Sequence, residues 1–215
     1  MLERLKEEVI HAAVRAEKDG LCKNKSGNFS AIDREKKFMV ITPSGLERKA
    51  LHLKDLPVLN QNGDVIENIS GHKPSSEWRM HLAAYETRQD FFAVAHTHSH
   101  YATAFAISGR KISPVAFEAF FYGWKTELAN VFLPGSKELA EGIKKPLQFA
   151  DVVLLKNHGV LTGGINSEEA RQKITYVEDV AQLYFYALQI NGSEPEPISE
   201  KQFLDYRHSC YPANK

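Results

Sequence analysis

Hydrophobic positions along the chain follow two spacings, and the spacing changes from segment to segment. Leu2, Leu5, Val9, Ala12, Ala13 and Val14 recur at helical intervals, which predicts an amphipathic helix over 2–18. The polar stretch "KNKSGNFS" (23–30) reads as a loop. "FMVITPSG" (38–45) is a short apolar run closed by proline and glycine, a strand entering a turn. In "VLNQNGDVIE" (58–67), Asn-Gly stands between apolar pairs and signals a hairpin. "KPSSEWRMHLAAYETR" (73–88) reads as a helix whose first turn holds Ser75, Ser76 and Glu77. The serines suit an N-cap, and the acid suits the positive end of the helix dipole.

The second half repeats the alternation. "FFAVAH" (91–96) is a continuous apolar run of the kind that forms a buried strand, and "YATAFAIS" then reads helical up to Gly109. "DVVLLKNHG" (151–159) is another such strand, and residues 166–190 form a long capped helix. From "NGSEPEPIS" onward, about 191–215, the chain is polar and contains proline, which predicts an extended tail over the surface. Strands alternating with helices indicate an α/β domain.

Both continuous apolar strands run into histidine. The stretch "AVAHTHSHYATAFA" (93–106) carries His96, His98 and His100, and the second strand leads to His158. Residues two apart on a strand share a face, so His96 and His98 can aim their rings at one point. His158 supplies a third nitrogen from its own strand end. Three nitrogens with a position left open make a catalytic metal site, whereas a structural site would be closed by a fourth protein ligand. His100 falls where the next helix begins and is read as a cap or a support. Glu77 is the acid available beside such a site.

Composition narrows the class. The 215 residues are 43% hydrophobic and 25% charged, which suits a single domain over 1–215. Lys plus Arg equals Asp plus Glu, 27 each, so charge gives no reason to expect a nucleic-acid or membrane partner. Cys22 and Cys210 form no CxxC and read as free thiols of a reducing compartment. The N-terminus lacks the apolar core of a signal peptide, and no apolar run approaches the ~20 residues needed to span a bilayer. The expectation is a soluble cytoplasmic protein.

Five segments, "SGNFS" (26–30), "ITPSG" (41–45), "PSSEWRMHLAAY" (74–85), "HTH" (96–98) and "NHG" (157–159), together resemble the class II aldolase/adducin family in order and spacing. The likeness spans about 26–190. It implies a three-layer α/β/α sandwich, assembled as a homotetramer with active sites between subunits. It implies that His96, His98 and His158 hold one divalent metal, and that Glu77 ligates the resting ion and then acts as base. Zn²⁺ suits this donor set best, and Mn²⁺, Fe²⁺ and Co²⁺ also fit. Asn28, Ser44, Gly45, Ser75 and Ser76 match the family's phosphate cradle. Backbone N–H groups, hydroxyls and a helix start are what a phosphate requires.

The implied reaction breaks the bond between carbons three and four of a ketose 1-phosphate, giving dihydroxyacetone phosphate and a small aldehyde. L-fuculose 1-phosphate and a deoxyketose such as 5-deoxyribulose 1-phosphate are the substrates considered. A divalent cation stabilises the charge that develops on the substrate's oxygens, so no Schiff-base lysine is required. One departure stands out. Phe117 falls where the family's sugar-phosphate aldolases carry a proton-transferring tyrosine from a neighbouring subunit. Tyr122 lies five residues on, and "FLDY" (203–206) places Tyr206 at their C-terminal tyrosine. Within the family, a ribulose-phosphate 4-epimerase would carry Asp at Glu77, and a methylthioribulose-1-phosphate dehydratase would share the metal site. An adducin-like interaction protein would have lost the metal histidines.

Overall fold

The computed structural model describes residues 2–210, and its spine is an eight-stranded sheet ordered β4-β3-β2-β1-β5-β8-β7-β6. The strands are β1 (Asn28–Ile32), β2 (Phe38–Ile41), β3 (Val58–Asn60), β4 (Val65–Glu67), β5 (Ala93–Thr97), β6 (Thr126–Ala129), β7 (Val152–Leu155) and β8 (Gly159–Gly164). The helices are α1 (Glu3–Lys18), α2 (Trp78–Thr87), α3 (His100–Ile107), α4 (Lys137–Gly142), α5 (Lys144–Leu147), α6 (Ser167–Asn191) and α7 (Glu200–Cys210). All neighbouring strands pair antiparallel except β6 and β7.

Helices cover both faces of this sheet, and the strands' own alternation sorts the layers. On β7, Val153 and Leu155 join the core beneath α2, α4 and α5. Val152 and Leu154 join the core beneath α3 and α6. On β5, Val94 faces the α2 layer while Ala93 and Ala95 face the layer of α1 and α6. A strand buried on both faces has no polar side to show, which is why these runs are apolar without interruption. Full burial of each such valine or leucine contributes about 1.5–3 kcal/mol.

The opening helix, the strand at 38–41, the hairpin of β3 and β4, the strand at 93–97 and the long α6 all form as the patterning indicates. Asn166 caps α6 by accepting from the Glu169 N–H. Four expectations need correction. Residues 28–30 are not loop but the start of β1. The strand at 151–159 ends at Leu155, so His158 sits in the turn joining β7 to β8. Helix α2 begins at Trp78 with Glu77 at its N-cap position, leaving Ser75 and Ser76 in the preceding turn. The tail is not extended throughout, because residues 200–210 form α7.

Candidate metal and substrate site

Register places the first functional side chains. Asn28 on β1 lies directly opposite His96 on β5. Both stand on the sheet face covered by α2, since Ser30 of that same face meets His81 of the helix. His98 follows β5 immediately, and the β7–β8 turn brings His158 alongside. One left-handed residue, Asn157 at φ 60°, makes that turn tight.

The three imidazoles converge. One ring nitrogen from each of His96, His98 and His158 lies within 4.8 Å of the others, the single such group among the described residues. Ring centroids are 4.7 to 5.3 Å apart, all edge-on. His96 Nδ1 donates to the Val160 carbonyl at 2.9 Å. Its Nε2 therefore carries a lone pair, directed at His98 Nε2, 3.2 Å away. Burial depresses both His98 and His158 to about 4, so both are neutral near pH 7.

Glu77 closes the group. Its Oε2 lies 3.2 Å from His96 Nε2 and its Oε1 lies 3.2 Å from His158 Nε2. Burial by itself would raise this carboxyl. The two imidazoles it faces, His96 before His158, and the Asn28 amide outweigh burial and hold it well below the usual range. Oε1 is buried without a hydrogen-bond donor. Lone pairs from neutral imidazoles, an ionised carboxylate and an unsatisfied buried oxygen directed inward are a donor set that fits a divalent cation.

Two glycines let the chain pass close to these histidines. A Cβ on Gly159 would stand 2.3 Å from the Thr97 carbonyl and about 3 Å from the rings of His98 and His96. A Cβ on Gly27, whose φ is +74°, would stand 2.5 Å from the His96 carbonyl.

The predicted anion residues gather beside Glu77. Ser44 donates from its N–H to the Lys73 carbonyl at 2.9 Å and from its hydroxyl to the Pro74 carbonyl at 3.0 Å. This lays the exposed Ser44–Gly45 turn against Ser75 and Ser76. Ser75 is buried and accepts from the Glu77 N–H at 3.3 Å, whereas Ser76 is exposed. Asn28 is more engaged than a simple anion ligand. Its Nδ2 donates to Glu77 Oε2 at 2.8 Å, and its Oδ1 is met by His81. One Nδ2 hydrogen stays available, since the amide carries two.

The aromatic residues separate. Tyr122 is fully buried and its hydroxyl has no partner, so it is a core residue and not a proton carrier presented to a neighbour. Phe117, in the 3-10 helix Phe117–Tyr122, is 47% exposed. Tyr206 packs on Phe117 and Phe120, with centroids 5.0 and 5.3 Å apart. His100 opens α3 on the surface, outside the histidine cluster.

Sequence reading missed His81, Ser30, Tyr85 and Arg48. His81 lies four residues after Glu77, a spacing that puts both on one helix face, and this was the available signal. Buried Arg48 donates to the carbonyls of Ser26 and Gly27, at 2.8 Å for Gly27, and so holds the loop before Asn28.

Residues 7–185 match the model of the class II aldolase and adducin N-terminal domain. The chain is 34% identical over 211 residues to a 5-deoxy-D-ribulose 1-phosphate aldolase of Bacillus thuringiensis, covering 98% of each chain. It is 32% identical over 196 residues to the L-fuculose phosphate aldolase of Escherichia coli K12, covering 91% of this chain and 88% of that one. A solved L-fuculose 1-phosphate aldolase superposes with a TM-score of 0.88 at 33% identity, over 96% of both chains.

Proposed function

The chain belongs to the class II aldolase and adducin family, and we propose that it cleaves a ketose 1-phosphate at the His96–His98–His158 site. The products are dihydroxyacetone phosphate and a small aldehyde. The observation that carries this reading is the convergence of three histidines and the Glu77 carboxylate beside a serine-rich turn. The aldolase relatives support a phosphorylated ketose as substrate. L-fuculose 1-phosphate and 5-deoxyribulose 1-phosphate are the two to test first.

His96, His98 and His158 hold the divalent cation, with Glu77 as a further ligand at rest. Three imidazoles and a carboxylate favour Zn²⁺, and Mn²⁺, Fe²⁺ and Co²⁺ suit the same donors. When bound, the cation supplies a Lewis acid for the charge that develops on the substrate's oxygens. Ser44, Gly45, Ser75, Ser76 and the second Asn28 hydrogen bind the phosphate and so fix the register of the carbon chain. Cleavage removes a proton from the hydroxyl on carbon four and returns one to carbon three. Glu77 is the carboxylate placed to carry protons, and such groups contribute typically ~10²–10⁴ in rate.

We assign Tyr206 to the aldehyde end of the site of a neighbouring subunit, in a cytoplasmic homotetramer whose full chain acts as one catalytic unit. The exposed Phe117 beside it supports a partner surface there. Among the described residues, no helix is long and apolar enough to cross a membrane.

A panel of ketose 1-phosphates, read by coupled reduction of dihydroxyacetone phosphate, tests the activity. Release of dihydroxyacetone phosphate from at least one member is expected. Epimerised or dehydrated product with no cleavage would replace the aldolase reading by another reaction.

A further inference from the structure

A chain of buried polar groups runs from Glu77 into the core behind the site. Glu77 Oε2 accepts from Asn28 Nδ2 at 2.8 Å. Asn28 Oδ1 meets His81 Nε2, His81 Nδ1 meets the Ser30 hydroxyl at 2.6 Å, and Ser30 meets the Tyr85 hydroxyl at 2.7 Å. His81 is 0% exposed and Tyr85 is 2% exposed, so these protein partners stand in for water.

Donor and acceptor rules leave one assignment for the whole chain. Glu77 is ionised and can only accept, so the NH₂ side of Asn28 faces it. Asn28 Oδ1 can only accept, so His81 Nε2 carries a hydrogen. A neutral imidazole then accepts at Nδ1, from the Ser30 hydroxyl, and Ser30 accepts from Tyr85. Every bond points the same way, towards the carboxylate. Burial pushes His81 down to about 3, which keeps the ring neutral as this pattern requires.

We propose that His81 is a positioning residue for the reaction: acting through Asn28, it holds the Glu77 carboxylate in the orientation from which it carries the proton. The inference rests on the assignment of Glu77 as proton carrier. His81 sits one helical turn after Glu77 on α2, while Asn28 lies on β1 opposite His96, so the link ties helix to sheet directly behind the metal site. Without the Nε2 hydrogen, Asn28 Oδ1 is left buried without a donor, and the amide loses the anchor that holds its Nδ2 against Glu77.

The test compares His81→Leu, which fills the space without a donor, with His81→Gln, whose amide can donate to Asn28 from nearly the same point. Each is assayed at full metal occupancy on the best ketose 1-phosphate. Groups that orient catalytic or ligating side chains typically contribute 10–100-fold, so His81→Leu is expected to lose about that much kcat with KM little changed. His81→Gln should restore most of it. Combined with Glu77→Gln, His81→Leu should cost nothing further, because it acts through the group already removed.

Wild-type kcat in metal-loaded His81→Leu would overturn the proposal, as would a fully multiplicative double variant. Loss of kcat in a His81→Gln protein with wild-type thermal stability would overturn it too. If His81→Leu fails to fold, His81→Asn replaces it, since its amide reaches Ser30 but stops short of Asn28. A second readout is independent of turnover. ¹⁵N-histidine spectra of the metal-free protein should show His81 as the Nε2–H tautomer with a protected proton, exposed to exchange in Asn28→Ala. The Nδ1–H tautomer would reject the chain as drawn. Glu77→Gln assayed alone separates the two readings: undiminished kcat there removes Glu77 as proton carrier, whereas impaired kcat there with normal kcat in His81→Leu removes only the positioning role.

Discussion

His96 Nδ1 donates to the carbonyl of Val160, 2.9 Å away on the neighbouring strand β8. This bond sets the tautomer of a fully buried ring and turns its Nε2 lone pair towards His98 and Glu77. The Nε2 nitrogen is thus aimed by the sheet itself, at no cost in side-chain freedom beyond that already lost on folding.

Removing any one of the three nitrogens leaves too few protein ligands for a catalytic ion. His98→Ala is expected to purify folded but with most of its metal lost, by elemental analysis, and without aldolase activity. Full occupancy in that variant would reject the ligand assignment.

Gly159 gives a second route to the same loss. Its missing Cβ would lie 2.3 Å from the Thr97 carbonyl and crowd two of the three imidazoles. Overpacking of this kind costs typically about 1–3 kcal/mol. Gly159→Ala should therefore lower the thermal midpoint and the metal content together, although it removes no ligand. A variant with unchanged metal content would show that β8 can shift without disturbing the rings.

Much of this was legible in the sequence, and the parts that were not have physical reasons. The strands β5 and β7 announce themselves because burial on both faces demands unbroken apolar runs. Strand β1 escapes the pattern because Asn28 and Ser30 are polar: they face Glu77 at the N-cap of α2 and His81 within it, and their partners lie 49 and 51 residues away. Strand β8 escapes because it begins at a glycine that the histidine rings require. The site histidines were visible from spacing alone, yet His158 reaches the site from a turn and not from a strand end. Helix α7 is hidden by the proline-containing stretch that precedes it.

Ser75 and Ser76 test the phosphate end. Their double replacement by Ala removes two hydroxyls near the start of α2 while leaving the metal ligands in place. A neutral hydrogen bond contributes about 0.5–1.5 kcal/mol net, more when it meets a charged group. KM for phosphorylated ketoses should rise roughly tenfold or more, with metal content unchanged. An unaltered KM would reduce both residues to turn-formers.

Acid sensitivity of the metal-free protein follows from the neutral histidines. His81 is lowered from 6.5 to about 3, and His98 and His158 to about 4. Between these values and 6.5 the unfolded chain binds protons that the native chain does not. Stability therefore rises with pH through that window and falls as pH drops from about 7 towards 4. Glu77, held below its ordinary value, acts in the other direction: it stabilises the native state above the ordinary carboxylate range and loses that contribution only at lower pH. The urea midpoint of metal-stripped protein should be lower at pH 5.0 than at pH 7.5, and His81→Gln should show a shallower dependence. Equal midpoints for the wild type would mean that these rings are protonated in the native state.

Glu77 itself separates chemistry from binding. Glu77→Gln preserves the size of the side chain and an acceptor for Asn28 Nδ2, and removes only the basic carboxylate. The expected loss in kcat is ~10²–10⁴, the usual range for a general acid–base group. KM should change little, because the serine-rich turn and the three imidazoles are untouched. Part of the metal is expected to leave, since Glu77 lies 3.2 Å from the clustered Nε2 atoms of His96 and His158, so activity is normalised to bound ion. Glu77→Asp shortens the reach by about one methylene and should also impair cleavage, with the carboxylate now too far from Asn28 to keep its bond. If Glu77→Gln kept more than about half the wild-type kcat at full occupancy, a loss far below the range for such a group, the carboxylate would be a metal ligand alone. Proton transfer would then fall to Tyr206 in the role proposed for it, since Tyr122 is sealed in the core.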